Sequence, residues 1–104
     1  MKVNFLDSKV EEFISSLEKP TVAKVLRTID LLEMFGYSLR LPHSKRIRKN
    51  LYELRIRGKQ EVRILYTFHK DEGILLHGFL KKSQRIPPKE LQIAVLKLNM
   101  LDSV

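Results

Sequence analysis

Residues 51–81 decide the fold: Leu51-Tyr52-Glu53-Leu54-Arg55-Ile56-Arg57-Gly58-Lys59-Gln60-Glu61-Val62-Arg63-Ile64-Leu65-Tyr66-Thr67-Phe68-His69-Lys70-Asp71-Glu72-Gly73-Ile74-Leu75-Leu76-His77-Gly78-Phe79-Leu80-Lys81. Tyr52, Leu54 and Ile56 alternate with Glu53, Arg55 and Arg57, the period of two that marks a strand. Val62, Ile64, Tyr66 and Phe68 repeat that pattern against Arg63, Leu65 and Thr67. Gly58-Lys59-Gln60 and Asp71-Glu72-Gly73 read as turns, and residues 74–81 as a third strand. Turns this short imply an antiparallel meander. Alternation sends Tyr52, Leu54 and Ile56 to one face. The opposite face then gathers Arg55, Arg63, His77 and Lys81 from three adjacent strands.

Working outward, Val3 and Phe5 begin a first strand. Ser8-Lys9-Val10-Glu11 has the form of a capping box, with Ser8 at the N-cap. Val10, Phe13, Ile14 and Leu17 follow as one apolar helical stripe. Pro20 suits the first turn of a second helix, which Val22, Val25, Leu26, Ile29 and Leu32 carry to about Phe35. Gly36 can take the left-handed conformation that stops it. Residues 37–49, with Pro42 and a run of bases, read as a loop. Pro87-Pro88 open a last helix whose apolar residues form a broad face rather than a narrow stripe. That breadth either covers the sheet or docks a partner. The expected order is β-α-α-β-β-β-α in one domain, residues 1–104. This is an α+β fold, a helical hairpin laid on the apolar face of a small twisted antiparallel sheet, with a C-terminal helix.

The chain has 104 residues, 20 Lys+Arg against 12 Asp+Glu and no cysteine, for a formal charge of +8. The excess is local. Residues 40–63 carry nine basic side chains against Glu53 and Glu61, net +7, whereas residues 1–39 are net −1. A charge so concentrated points to a polyanionic partner. Disulfide frameworks and cysteine-based zinc sites are excluded. No apolar run approaches the ~18 residues of a membrane span, and the N-terminus lacks a secretory apolar region. A cytoplasmic protein without membrane association is the expectation.

His43, His69 and His77 have no metal-ligand spacing, and the acids are scattered. No phosphate-cradling glycine loop and no Ser/His/Asp arrangement is readable. The cationic face therefore suits a phosphodiester handled without metal or cofactor. In RNA the neighbouring 2′-hydroxyl supplies the nucleophile, leaving the protein to stabilise charge and move protons. Crowding Lys81 among cations lowers its pKa, the direction a base needs. The plainer alternative is that Arg63 only pairs with Glu53 across the strands.

Leu51-Tyr52-Glu53-Leu54-Arg55, Arg63-Ile64-Leu65-Tyr66 and Leu76-His77-Gly78-Phe79-Leu80-Lys81-Lys82-Ser83-Gln84, with Pro87-Pro88 behind, resemble the RelE/ParE superfamily of toxins, and most nearly its phage-related HigB-type branch. The resemblance implies the toxin of a type II toxin–antitoxin system. Its activity would be ribosome-dependent cleavage of messenger RNA by metal-free 2′-hydroxyl attack. The implied partners are the ribosome and mRNA and a helix-turn-helix antitoxin, with operator DNA reached only through the antitoxin complex. The implied catalytic residues are Arg63, Lys81, His77 and Arg55. Arg46, Arg48, Lys49, Arg57, Lys82 and Arg85 are the further RNA-binding residues on this reading. Ile86 stands where this branch often has a threonine, and residues 87–104 lack the terminal tyrosine of some RelE-type members. A gyrase-directed, non-catalytic ParE-like inhibitor, or a basic binding module without activity, is the alternative.

Overall fold

A computed structural model describes residues 1–102. Its strands are β1 (Val3–Phe5), β2 (Ser44–Arg48), β3 (Leu51–Ile56), β4 (Val62–His69) and β5 (Glu72–Leu80); its helices are α1 (Ser8–Ser15), α2 (Lys19–Phe35) and α3 (Pro88–Asp102). Among the described residues, one five-stranded sheet of order β1-β5-β4-β3-β2 runs through the middle. The helical hairpin covers one face and α3 the other. None of these helices is long and apolar enough to cross a membrane.

The helical layer follows the sequence stripes with two changes. Val10, Ile14, Leu17, Val25 and Leu32 are buried as expected, with Val22 and Ile29 packed partly buried against them, but Thr21 and Thr28 join the α2 stripe and Leu26 is half exposed. Thr28 can replace an aliphatic residue because its hydroxyl is satisfied by the Lys24 carbonyl at 2.9 Å. Asp7, not Ser8, is the N-cap of α1, accepting from the Lys9 N–H at 3.1 Å. A second partner holds Asp7 there, Lys97 of α3 at 3.0 Å. The Lys97 contacts help hold the Asp7 carboxyl below its ordinary value, although burial, the largest single influence, works against them. Pro20 lies in the first turn of α2, and Gly36 ends it with φ 52°.

Four features of the sheet depart from expectation. The sheet is mixed rather than antiparallel, because β1 pairs in parallel with residues 73–75 of β5. Residues 37–49, which read as a loop, contain β2, an edge strand antiparallel to β3. Its Lys45, Arg46 and Arg48 put charge on both faces, so no apolar alternation betrays it; charge of this kind also protects a sheet edge from pairing with other chains. The β4–β5 turn is Lys70-Asp71, both at positive φ (51° and 62°), so Glu72 and Gly73 are strand residues. A bulge between Leu65 and Tyr66, opposite Leu75–His77, leaves Leu76 without a paired residue. Leu76 therefore joins Leu65 and Phe79 under α3 rather than the opposite face.

Two apolar clusters result. Leu54, Ile56, Val62, Ile64 and Tyr66 meet the hairpin, with Val10, Ile14, Val25 and Leu32 above them. Leu51, Leu65, Leu76 and Phe79 meet Ala94, with Leu91, Val95 and Leu98 alongside. The broad apolar surface of α3 thus covers the sheet, although Leu96 and Met100 stay more than three-fifths exposed.

Phe13 of α1 crosses β5 at Gly78, where a Cβ would lie 2.5 Å from the ring. Gly78→Ala must displace that ring from the hairpin core. The expected cost is about 1–3 kcal/mol, read as a lower urea midpoint at unchanged slope. An unchanged midpoint would show that Phe13 does not pin α1 to the sheet.

Candidate functional site

On the α3 face the paired strands lay out side chains in rows. Arg55, Arg63 and Phe79 form one row. The ladder continues one step further, where the Lys81 N–H donates to the Glu61 carbonyl at 2.8 Å. Arg57, Glu61 and Lys81 occupy that end. The apolar side chains lie under α3, and the charged end opens as a cleft of about 460 Å³. Arg55, Arg57, Arg63, Lys81 and Lys82 line it with Glu61, Ser83 and Gln84. The segment from Lys81 to Gln84 walls one side on its way to α3.

The cleft floor is ionic. Glu53 is 3% exposed, and its two oxygens face Arg55 Nε at 3.7 Å and Arg63 Nε at 3.8 Å. Both contacts exceed hydrogen-bond length. Among the described residues Glu53 Oε2, Arg55 Nε and Arg63 Nε have no hydrogen-bond partner, although Arg63 Nη1 donates to the Val62 carbonyl at 2.9 Å. Buried polar atoms are almost always paired, so three orphans in one spot are a cost the fold sustains. Burial pulls the Arg63 guanidinium below its ordinary pKa, with Glu53 opposing and Arg55 adding to the shift. Lys81 is lowered as well, by burial first and then by Arg63, with Arg55 and Lys45 adding and Glu53 opposing.

The sequence-predicted residues separate into groups. Arg55, Arg63 and Lys81 converge on the cleft, and Arg57 and Lys82 line it. His77 shares their face but stands apart. Its Nε2 lies 3.1 Å from Glu90 of α3, its ring is stacked 6.0 Å from Phe79, and it lines a different groove with Phe13 and Ile93. The apolar packing of α3 on β5 comes between. Arg46 pairs with Tyr52 and lines a hollow on the opposite face. Arg48 lies beside Leu91 and Val95 of α3, Lys49 is exposed in the β2–β3 turn, and Arg85 is exposed in the loop before α3. The pairing of Arg63 with Glu53, weighed as the plainer alternative, is present; so is the cleft above it.

Sequence reading passes over three cleft residues. Glu61 is two residues before Arg63, so alternation alone places it on the same face. Its carboxylate accepts from the Gly58 N–H at 3.0 Å. Ser83 and Gln84 follow the last strand and carry no periodic signal. Among the described residues, no cluster of three or more His, Cys, Asp or Glu is placed to hold a metal ion.

The layers and the cleft define a small α+β protein that presents concentrated cationic side chains at one end of a sheet. The sequence model of the family described as phage derived protein Gp49-like (DUF891) matches residues 12–99. The chain belongs to this phage-derived family, a family of RelE-like toxins. No curated protein matches the chain.

Glu53→Gln removes the carboxylate and leaves two guanidiniums crowded over an amide. Breaking one side of a buried pair costs about 3–5 kcal/mol; partial exposure of Arg55 reduces this to about 2–3 kcal/mol. Equilibrium urea unfolding checks the loss, and an unchanged stability would mean that Glu53 does not hold the arginines in place.

Proposed function

We propose that this protein is the toxin of a toxin–antitoxin pair and an endoribonuclease that cuts messenger RNA on the ribosome. The observation that carries the reading is the cleft. Five cations surround it, and of the central three Arg55 and Lys81 are partly exposed to it while Arg63 is buried beneath. A phosphodiester's non-bridging oxygens are acceptors of the required charge. Membership of a RelE-like toxin family supports the same conclusion. The implied partners are the ribosome, its message and a helix-turn-helix antitoxin, which brings the complex to operator DNA.

The reaction needs little from the protein. The ribose 2′-oxygen bonds to the adjacent phosphorus, and the bond from phosphorus to the 5′-oxygen breaks. The products are a 2′,3′-cyclic phosphate and a 5′-hydroxyl. One proton leaves the 2′-hydroxyl and one reaches the departing oxygen. Arg55 and Lys81, the more accessible of the central cations, hold the charge that develops on the phosphoryl oxygens. Arg63 stays at the floor, where it fixes Glu53 and adds field. Lys81, held below its ordinary pKa, and Glu61, the carboxylate on the wall, are the groups placed to exchange protons.

Primer extension on translated messages tests this reading. The wild-type chain should produce cuts within codons with 5′-hydroxyl ends, and Lys81→Met should slow them by about 10²-fold or more. Because Lys81 is charged at a cost, Lys81→Met should also raise the urea midpoint slightly at neutral pH. That increment should shrink as pH rises toward the ordinary lysine range, where the unfolded chain also loses its proton. Growth arrest with gyrase inhibition and intact messages would overturn the ribonuclease assignment in favour of a non-catalytic inhibitor.

A further inference from the structure

A second hollow, of about 320 Å³, opens on the opposite face of the sheet, where α2 has ended and the helical layer stops short. Its floor is aromatic. Tyr52 stacks on Tyr66 at 5.4 Å and 29°, and Phe68 meets Tyr52 edge-on at 5.2 Å. Tyr66 is buried with its hydroxyl 2.5 Å from Ser44 Oγ, so its polar end is satisfied internally. Tyr37, from the turn after α2, leans on Phe68 at 4.4 Å yet is 54% exposed. The rim carries Arg40 and Arg46, both exposed. Arg40 donates to the carbonyls of Tyr37 and Leu39, and Arg46 to that of Arg48; neither joins an ion pair among the described residues. The rim carboxylate of Asp71 is engaged by the Tyr37 hydroxyl at 2.9 Å.

Accessible rings and unpaired guanidiniums answer to different halves of one ligand. A ring face attracts a flat π-system, and guanidinium forks match phosphate oxygens. Single-stranded nucleic acid carries both at every nucleotide. We propose that this hollow is a nucleotide subsite, in which Tyr37 and Tyr52 stack one base of a single strand while Arg40 and Arg46 hold its phosphate.

The inference rests on the reading of RNA as substrate and gives it a path. Adjacent residues of edge strand β2 point to opposite faces. Lys45 adds its charge to the cleft, where it acts on Lys81, and Arg46 adds its own to the hollow. A strand that crosses the β2 edge meets both. The two sites lie on opposite faces near one edge, so the strand joins them by passing round β2. A base some nucleotides away from the scissile phosphate, unstacked from its neighbours, is therefore the occupant, and the substrate is a single strand rather than a duplex.

The probe is a labelled hexanucleotide with 2′-deoxyribose throughout, which cannot undergo 2′-hydroxyl attack. Its affinity is followed by fluorescence anisotropy across a salt series. Tyr37→Ala should weaken binding by about 5- to 100-fold, and Tyr37→Phe, which keeps the ring, by no more than about twofold. Arg46→Gln, on an exposed edge that tolerates the change, should weaken binding and reduce the log–log salt slope by about 0.7. Wild-type affinity in both Tyr37→Ala and Arg46→Gln would overturn the subsite, whatever the protein does to messages. Tyr37-dependent binding of a poly-glutamate peptide without binding of the hexanucleotide would overturn it too, in favour of an acidic protein partner. Tyr37-dependent hexanucleotide binding by a chain that cuts no message would support the subsite and remove the ribonuclease reading alone.

Discussion

Glu53 sits between Arg55 and Arg63 inside the sheet's cationic end, close enough to hold both and too far to hydrogen-bond either Nε. Taking such charges from water costs several kcal/mol each, and attraction at 3.7–3.8 Å does not obviously return it. A layer built for stability alone would place well-packed aliphatic side chains there. The fold instead maintains a guanidinium pair at neighbouring strand positions, where like charges repel. Glu53 makes that tolerable without saturating either arginine. The pair is held in place, with Arg55 partly exposed to the cleft and Arg63 buried beneath it.

What remains of that face is arranged around this constraint. Leu51, Leu65, Leu76 and Phe79 lie under α3, whereas the charged rows lie beyond its cover. The bulge at Leu76 adds apolar surface beneath the helix, and the chain leaves β5 at Lys81 to wall the cleft before Pro87 and Pro88 start α3. The side chain with the most useful proton chemistry, Lys81, is thus fixed by a backbone bond to the strand that carries Arg63. The hairpin on the other face supplies most of the remaining core and takes no part in the cleft.

Strand alternation made much of this legible. Tyr52, Leu54 and Ile56 face the hairpin, and Arg55, Arg63 and Lys81 come together because a period of two admits little else. β2 escaped because an edge strand of Lys45, Arg46 and Arg48 is solvated on both faces and shows no pattern. The parallel pairing of β1 depends on contacts with residues seventy positions away. A bulge shifts the register at Leu76, and no residue type announces it. Leu76 moved beneath α3, and His77 stayed on its face but against Glu90. Arg46, expected among the RNA-binding residues, pairs with Tyr52 and so lies on the face opposite the cleft. Glu61 was legible by the rule that found Arg63.

The central claim is that the cleft above Arg63 and Glu53 receives the phosphodiester, with Arg55 and Lys81 as its direct contacts. Arginine Nε–H resonances in ¹⁵N NMR, followed during titration with an uncleavable single-stranded oligonucleotide, report on it directly. The Arg55 signal should shift as its partly exposed guanidinium meets the phosphoryl oxygens, the buried Arg63 signal should shift less, and His77 should be unaffected. Saturable oligonucleotide binding that leaves the Arg55 and Arg63 Nε–H signals unmoved would contradict the account.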